Sequence, residues 1–238
     1  MKMKYKCIAM IPARLGSRRI PKKNIRYMWD KPLIQYPIDF AINSGKFDSI
    51  WINTESSELG NFCADKYGIG FHKRPAELAN DKATNREFVY EFLKKHECDY
   101  VIMINPTSPT LRQETVNGFI DYVMENSYDT VMSVISNQTE AFYRGQKINF
   151  DGKNKIPNDE LEPIEEIVWA MTAWKRDTFI KLQEDGQCPV FGGTLGTFVI
   201  PKDESADLDN EEDWRIAEGI LKARNTENTR GKRYMELN

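Results

Sequence analysis

The densest chemistry in the chain lies in IPARLGSRRIPKKN, residues 11–24, where Arg14, Arg18, Arg19, Lys22 and Lys23 crowd one short segment. Gly16 and Ser17 suit a tight loop whose backbone N–H groups could face an anion. Arginine offers forked donors to phosphate, and lysine offers a compact point charge. A solvated basic turn accounts for the same residues, because charge runs usually face water. The segment is neither a GxxxxGK[ST] loop nor a GxGxxG fingerprint, so ATPase and dinucleotide readings lose their main support.

A second candidate lies near the other end. Asp207 and Asp209 are two residues apart, and in an extended chain they project from one face. Two carboxylates on one face suit Mg²⁺ (or Mn²⁺), a hard cation that takes oxygen ligands and keeps waters beside substrate phosphates. The competing reading is an acidic helix start, with Asn210 as N-cap and Glu211, Glu212 and Asp213 in the first turn. Both can hold together. The only histidines, His72 and His96, are far apart in sequence, which argues against a histidine metal site or a Ser/His triad.

The elements that must position these groups follow from periodicity. Short apolar runs predict strands at Cys7–Pro12, Ser49–Thr54, Tyr100–Asn105, Thr130–Ile135, Ile167–Trp174 and Thr197–Pro201. Helical spacing predicts helices over 32–44 (with Pro37 distorting the first turns), 58–67 closed by Gly68, 85–96, 113–126, 176–184 and 210–223. The alternation of near-continuous apolar strands with helices predicts an α/β fold: a mostly parallel, Rossmann-like sheet flanked by helices. Ligands of such sheets sit at the carboxyl ends of the strands, which is where the basic loop follows the first strand. Residues 136–163 break the pattern. They read as an inserted arm with a hairpin turn at Asp151-Gly152, within a single domain spanning 1–238. The tail, 224–238, is polar and reads as loose.

Composition sets the outer bounds. The 238 residues are 40 % hydrophobic and 29 % charged, with a formal net charge of −3, an ordinary soluble balance that argues against a nucleic-acid scaffold. Cys7, Cys63, Cys98 and Cys188 form no CxxC pair, so reduced thiols and a cytoplasmic setting are expected. No apolar run is long enough for a signal core or a membrane span.

The 11–24 segment resembles the opening signature of the CMP-acid-sugar synthetases, the acylneuraminate cytidylyltransferase family. Further matches follow in order. Lys31-Pro32-Leu33-Ile34 resembles G-K-P-L-I, and Asn53-Thr54-Glu55 resembles a strand end reading S-T-D. The run from Arg74 to Thr84 (RPAELANDKAT) resembles R-P-x-E-L-A-x-D-x-A-S/T. Pro106-Thr107-Ser108-Pro109 resembles P-T-S-P, and Ala206 to Trp214 resembles D-I-D-T-x-x-D-F/W.

The resemblance implies a cytidylyltransferase that binds CTP and an acidic small-molecule acceptor, works with Mg²⁺ or Mn²⁺, and forms a homodimer through the inserted arm. It implies catalytic roles for Arg14, Lys23 and Asp209, and metal ligands at Asp207 and Asp209. It implies a nucleotide site of Ala13, Arg14, Leu15, Gly16, Ser17, Lys23, Asn24, Arg74 and Thr84, and an acceptor contact at Asn105. The residues themselves also allow Arg74 to pair with Glu77 on the surface.

The acceptor side departs from the pattern. Asn105 stands where the family has glutamine, Thr110 is inserted before Leu111-Arg112, and WAMTAW (169–174) replaces the N-G-A-I-Y strand. The glycine-rich run 191–197 is read as a flexible loop or, more sharply, as a small anion pocket for a phosphate, phosphonate or carboxylate. An acidic sugar such as a sialic, legionaminic or pseudaminic acid is the expected acceptor, with a small phosphonate or phosphate as the alternative.

Overall fold

The computed structural model describes residues 5–225. Seven strands form the central sheet: β1 (Cys7–Pro12), β2 (Ser49–Thr54), β3 (Gly70–Lys73), β4 (Tyr100–Ile104), β5 (Thr130–Asn137), β6 (Ile164–Lys175) and β7 (Leu195–Val199). Their order is β7-β5-β6-β4-β1-β2-β3. All neighbours are parallel except β6, which runs antiparallel to both β4 and β5.

Strand β1 shows why the sheet is covered on both faces. Its residues alternate between two cores. Cys7, Ala9 and Ile11 join a cluster with Ile38 of helix α1 (Gln35–Ser44), Leu59 of α2 (Ser57–Tyr67) and Phe119 of α4 (Gln113–Glu125). Ile8 and Met10 point the other way, to Phe92 of α3 (Asn85–Leu93) and Phe179 of α5 (Arg176–Glu184). Each buried Ile, Leu, Met or Phe among these contributes about 1.5–3 kcal/mol relative to exposure. A third cluster seats α6 (Glu211–Asn225) through Trp214, Ala217 and Leu221 on Met28, Leu33 and Leu208.

Several sequence expectations need correction. Pro37 does not distort α1. It occupies the third helical position, where the N–H has no intrahelical partner to lose. Helix α3 stops at Leu93 rather than residue 96, and β7 covers 195–199 rather than 197–201. Strand β3 was missed because GFHK is too short for a period to show. Asp151-Gly152 is not a hairpin tip. Its carboxylate instead accepts the N–H groups of Lys153 and Asn154. The paired residues are Phe142–Tyr143 and Gln146–Lys147. They are joined by Arg144-Gly145, both with positive φ, as a type I′ turn requires. Arg224 belongs to α6 and pairs with Asp203 at 2.7 Å; the rest of the expected tail, 226–238, lies outside the described residues.

The two histidines meet in space. His72 on β3 is 4 % exposed, and its Nδ1 lies 3.0 Å from His96 Nε2. Its Nε2 lies 2.7 Å from Glu91. Burial lowers both imidazole pKa values, that of His96 to about 4. The unfolded chain, with histidines near 6.5, binds more protons below that pH. Stability from the neutral pair is therefore complete above about pH 6.5 and declines as pH falls toward 4. In His96→Gln, urea unfolding between pH 4.5 and 7.5 should show a shallower loss than in the parent. An identical slope in both proteins would remove the pair from the acid response.

Candidate functional site

The chain steps outward from β1 to β2 to β3, then returns to place β4 on the other side of β1. That reversal opens a crevice at the carboxyl ends of β1 and β4. A cleft of about 230 Å³ occupies it, lined by Arg14, Lys23, Arg74, Asp81, Phe88 and Asn105 among others.

The basic loop enters this cleft under restraint. Ala13 is fully buried, and its N–H donates to Asn53 O at 2.9 Å. Leu15 N–H donates to Glu55 Oε1 at 2.8 Å, and Ser17 N–H to Leu15 O at 2.9 Å. The inward nest of amides expected over residues 15–17 is therefore largely used up inside the protein. Gly16 differs. A Cβ built there would meet no atom within 4 Å, so the free protein leaves room above it for a close ligand. From behind, the buried Asn24 side chain holds the loop by donating to Arg14 O at 2.8 Å.

The cations face different partners. Lys23 Nζ donates to Leu208 O at 2.7 Å. Burial lowers its pKa, against the opposing pull of Asp207 and Asp209. Arg14 and Arg18 both pair with Asp81, at 2.7 and 2.5 Å, and these arginines hold the Asp81 carboxyl below its usual range, the Arg14 hydrogen bond first. Arg74 is 3 % exposed, which excludes a surface pair with Glu77. Its Nε donates to Asn53 Oδ1 at 2.7 Å and its Nη2 to Asn53 O at 2.9 Å. Its guanidinium stacks 4.3 Å from the centre of the Phe88 ring. Burial brings its pKa down to about 10.

The acidic pair brackets Leu208, whose carbonyl Lys23 meets, and neither carboxylate is among the residues that line the cleft. Leu208 is buried and donates its N–H to Thr107 O at 3.1 Å, so the flanking Asp207 and Asp209 share the outward face. Desolvation raises the Asp207 pKa, with Asp209 adding to it and a Thr107 hydrogen bond opposing it. Asp209 Oδ1 pairs with Arg19 at 2.7 Å. The helix-start reading holds as well: Asn210 Oδ1 accepts the N–H groups of Glu212 and Asp213 at 2.7 and 3.0 Å. The cap also takes the Asp209 N–H, which donates to Asp213 Oδ2 at 2.9 Å, and leaves the Asp207 and Asp209 carboxylates out of it.

Among the described residues no three His, Cys, Asp or Glu side chains gather into a metal cage. Two carboxylates two residues apart, one destabilised first by desolvation and then by the other's charge, fit a cation that draws its remaining ligands from water and phosphate. They are residues that could hold a hard divalent cation such as Mg²⁺.

The remaining expected contacts are less direct. Thr84 precedes α3 and is engaged with Glu87, whose carboxylate accepts from its N–H at 2.8 Å and its hydroxyl at 3.1 Å; the neighbouring Ala83 lines the cleft instead. Asn105 lines the cleft while its side-chain amide donates to the Trp169 carbonyl. The 191–197 run is neither a loose loop nor an anion pocket. Asp129 fills it, accepting from Thr194 N and Oγ1 at 2.9 Å each, and a Cβ on Gly193 would strike Asp129. A carboxylate in that position repels anions. Leu195 also pairs with Thr130, the first residue of β5, placing the run at the opposite end of the sheet from the cleft.

Asn53, Glu55, Asp81 and Phe88 were not singled out in the sequence. Three of them belong to the family-like runs NTE (53–55) and RPAELANDKAT (74–84), in which Arg74 and Thr84 carry the sequence signal. Phe88 reads only as a helix core position.

A family model described as cytidylyltransferase matches residues 8–155. N-acylneuraminate cytidylyltransferase of Escherichia coli O18:K1:H7 (strain RS218 / NMEC) is 28 % identical, over 94 % of this chain and 54 % of its own length. The chain spans about half the length of the N-acylneuraminate cytidylyltransferases it matches. Post-translational flagellin modification protein B of Campylobacter coli is 26 % identical over 92 % of this chain and 96 % of its own length. The solved structure of a CMP:2-keto-3-deoxy-manno-octonic acid synthetase complexed with CTP superposes with a TM-score of 0.70 at 16 % identity, covering 92 % of this chain and 99 % of that one. That likeness establishes the nucleotidyltransferase-type fold.

Proposed function

We propose, from the premise that this chain belongs to the cytidylyltransferase family, that it transfers CMP from CTP to an acidic sugar of the nonulosonic type and releases pyrophosphate. The observation that carries this is one cleft at the sheet's reversal point that collects Arg14, Lys23, Asn24 and Arg74, with the Lys23 ammonium on the carbonyl of Leu208, the residue between Asp207 and Asp209 in the chain. The names of the relatives support the acceptor class. Their length difference leaves the full activity of those proteins outside what this chain must share.

Phosphoryl-type transfer depends mainly on positioning and charge neutralisation. Arg14 and Lys23 supply cations to the triphosphate, and Gly16 lets it approach the backbone. Arg74, rigid on Asn53 and Phe88, lines the nucleoside end. A cation on Asp207 and Asp209 would supply further charge neutralisation at the phosphates. Asn105 lies on the acceptor side. The small-acceptor alternative loses one of its supports, because Asp129 occupies the 191–197 run read as an anion pocket.

The arm expected at 136–163, whose first two residues instead close β5, supports a homodimer. Phe142, Tyr143 and Ile148 are 62, 63 and 54 % exposed there, an apolar surface suited to a second copy. A monomeric mass in solution would overturn that part. Four unpaired cysteines suit a cytoplasmic setting, which recovery of the native protein in a secreted fraction would refute. No described helix is long and apolar enough to cross a membrane.

The deciding experiment measures pyrophosphate release with Mg²⁺ and each of CTP, UTP, GTP and ATP, against nonulosonic acids and small phosphonates. Release with CTP and an acid sugar is expected. Release with only a phosphonate would replace the acceptor. Binding of CTP without release under any pairing would favour a non-catalytic nucleotide-binding protein.

A further inference from the structure

Two arginines of the 11–24 loop, Arg14 lining the cleft and the exposed Arg18 beside it in sequence, share one carboxylate in the free protein. Arg14 Nη1 lies 2.7 Å from Asp81 Oδ1, and Arg18 Nε lies 2.5 Å from Asp81 Oδ2. Each guanidinium takes a different oxygen of one anion, as two arginines would share a phosphate. Asp81 is not a neighbour in sequence. It comes from the turn before α3, and Asn80 shapes that turn by accepting the N–H groups of Lys82 and Ala83 at 2.7 and 3.0 Å. The Asp81 carboxylate lines the same cleft as Arg14.

The contact is built to be exchanged. The Asp81 side chain is 33 % exposed and that of Arg18 is 85 % exposed. Water reaches both partners, so separating them carries little desolvation change. The other cations of the cleft are held differently. Arg74 is buried against Asn53, and Lys23 donates to a backbone carbonyl.

We propose that Asp81 is an internal counter-anion that holds Arg14 and Arg18 in the free enzyme and yields them to the incoming triphosphate, so that nucleotide entry is an exchange of anions. This rests on the reading of the 11–24 loop as the triphosphate site. A single carboxylate loses to a polyanion that makes several contacts at once. It regains the arginines when pyrophosphate leaves, which weakens product inhibition. No bond is made or broken in the exchange.

The test compares the parent with Asp81→Asn and Asp81→Ala, titrated with CTP and separately with inorganic pyrophosphate at two salt concentrations, without acceptor. Both variants should bind both ligands about three- to tenfold more tightly, with a steeper salt dependence, since an exposed pair of this kind is worth little more. Pyrophosphate inhibition should strengthen in parallel. Equal or weaker binding of pyrophosphate by the variants would overturn the proposal and make Asp81 a positioning residue or a ligand contact. Pyrophosphate carries no base, so a failure of the cytidine assignment would abolish the CTP arm alone and leave the pyrophosphate arm to decide. Thermal unfolding of both variants within a few degrees of the parent, as expected for an exposed turn, shows that the fold is retained.

Discussion

Lys23→Met should lower the rate of pyrophosphate release at saturating CTP by about 10²–10³-fold, the usual consequence of removing one preorganised charge from a transition state. Methionine keeps the unbranched stem and much of the volume, so packing around the stem should survive. What disappears is an ammonium held on the Leu208 carbonyl between Asp207 and Asp209. Its burial lowers its pKa, while the two carboxylates restore part of the charged form. Its hydrogen bond to a backbone carbonyl leaves it less mobile than an exposed lysine. CTP affinity, measured by calorimetry, should weaken far less than the rate. Lys23→Arg should rescue poorly, because a planar fork does not fit a site shaped for a point charge. A rate within tenfold of the parent would remove Lys23 from the catalytic set.

Asp209→Asn should produce the second large loss, about 10²-fold in rate, together with a shift of the divalent-metal requirement to higher concentration. Asparagine preserves shape and can still meet Arg19, which the parent binds at 2.7 Å. It removes the negative charge that a hard cation needs. Binding of Mn²⁺ in the presence of CTP gives a readout independent of turnover, and it should weaken in the same variant. The control is Asp213→Ala. Asp213 serves the helix start, where its carboxylate accepts from the N–H groups of Asp209 and Asn210 at 2.9 and 3.0 Å. Losing that contact should cost about 1 kcal/mol of stability with little change in metal dependence. If the two variants behaved alike, the acidic run would be a helix start and nothing more.

Much of the scaffold was readable in advance. CIAMIP and SIWINT were bounded as strands to the residue, because unbroken apolar runs ending at proline or a polar cluster have few other solutions. The same approach failed at GFHK and at the Arg144-Gly145 hairpin. Four residues carry no period, and an Asp-Gly pair signals a turn without saying what flanks it. The site divided in the same way. Arg14, Ser17, Lys23, Asn24, Arg74 and Asn105 all face the cleft. Ala13, Leu15, Gly16, Thr84, Asp207 and Asp209 do not line it; Ala13 is buried and Thr84 is turned to Glu87.

The sequence by itself determined which charges are available and on which face they stand. Covalent spacing alone puts Asp207 and Asp209 on one side of an extended chain, and it puts alternate residues of β1 into opposite cores. Such relations span a few residues, so local geometry settles them. Only the tertiary structure decided which groups engage one another. Asp81 reaches Arg14 across 67 residues, the Leu208 carbonyl reaches Lys23 across 185, and His72 reaches His96 across 24. Those meetings depend on the strand order that places β4 beside β1 and returns the chain to the same end of the sheet. That order follows from how several amphipathic layers bury their apolar faces together, which no single segment encodes.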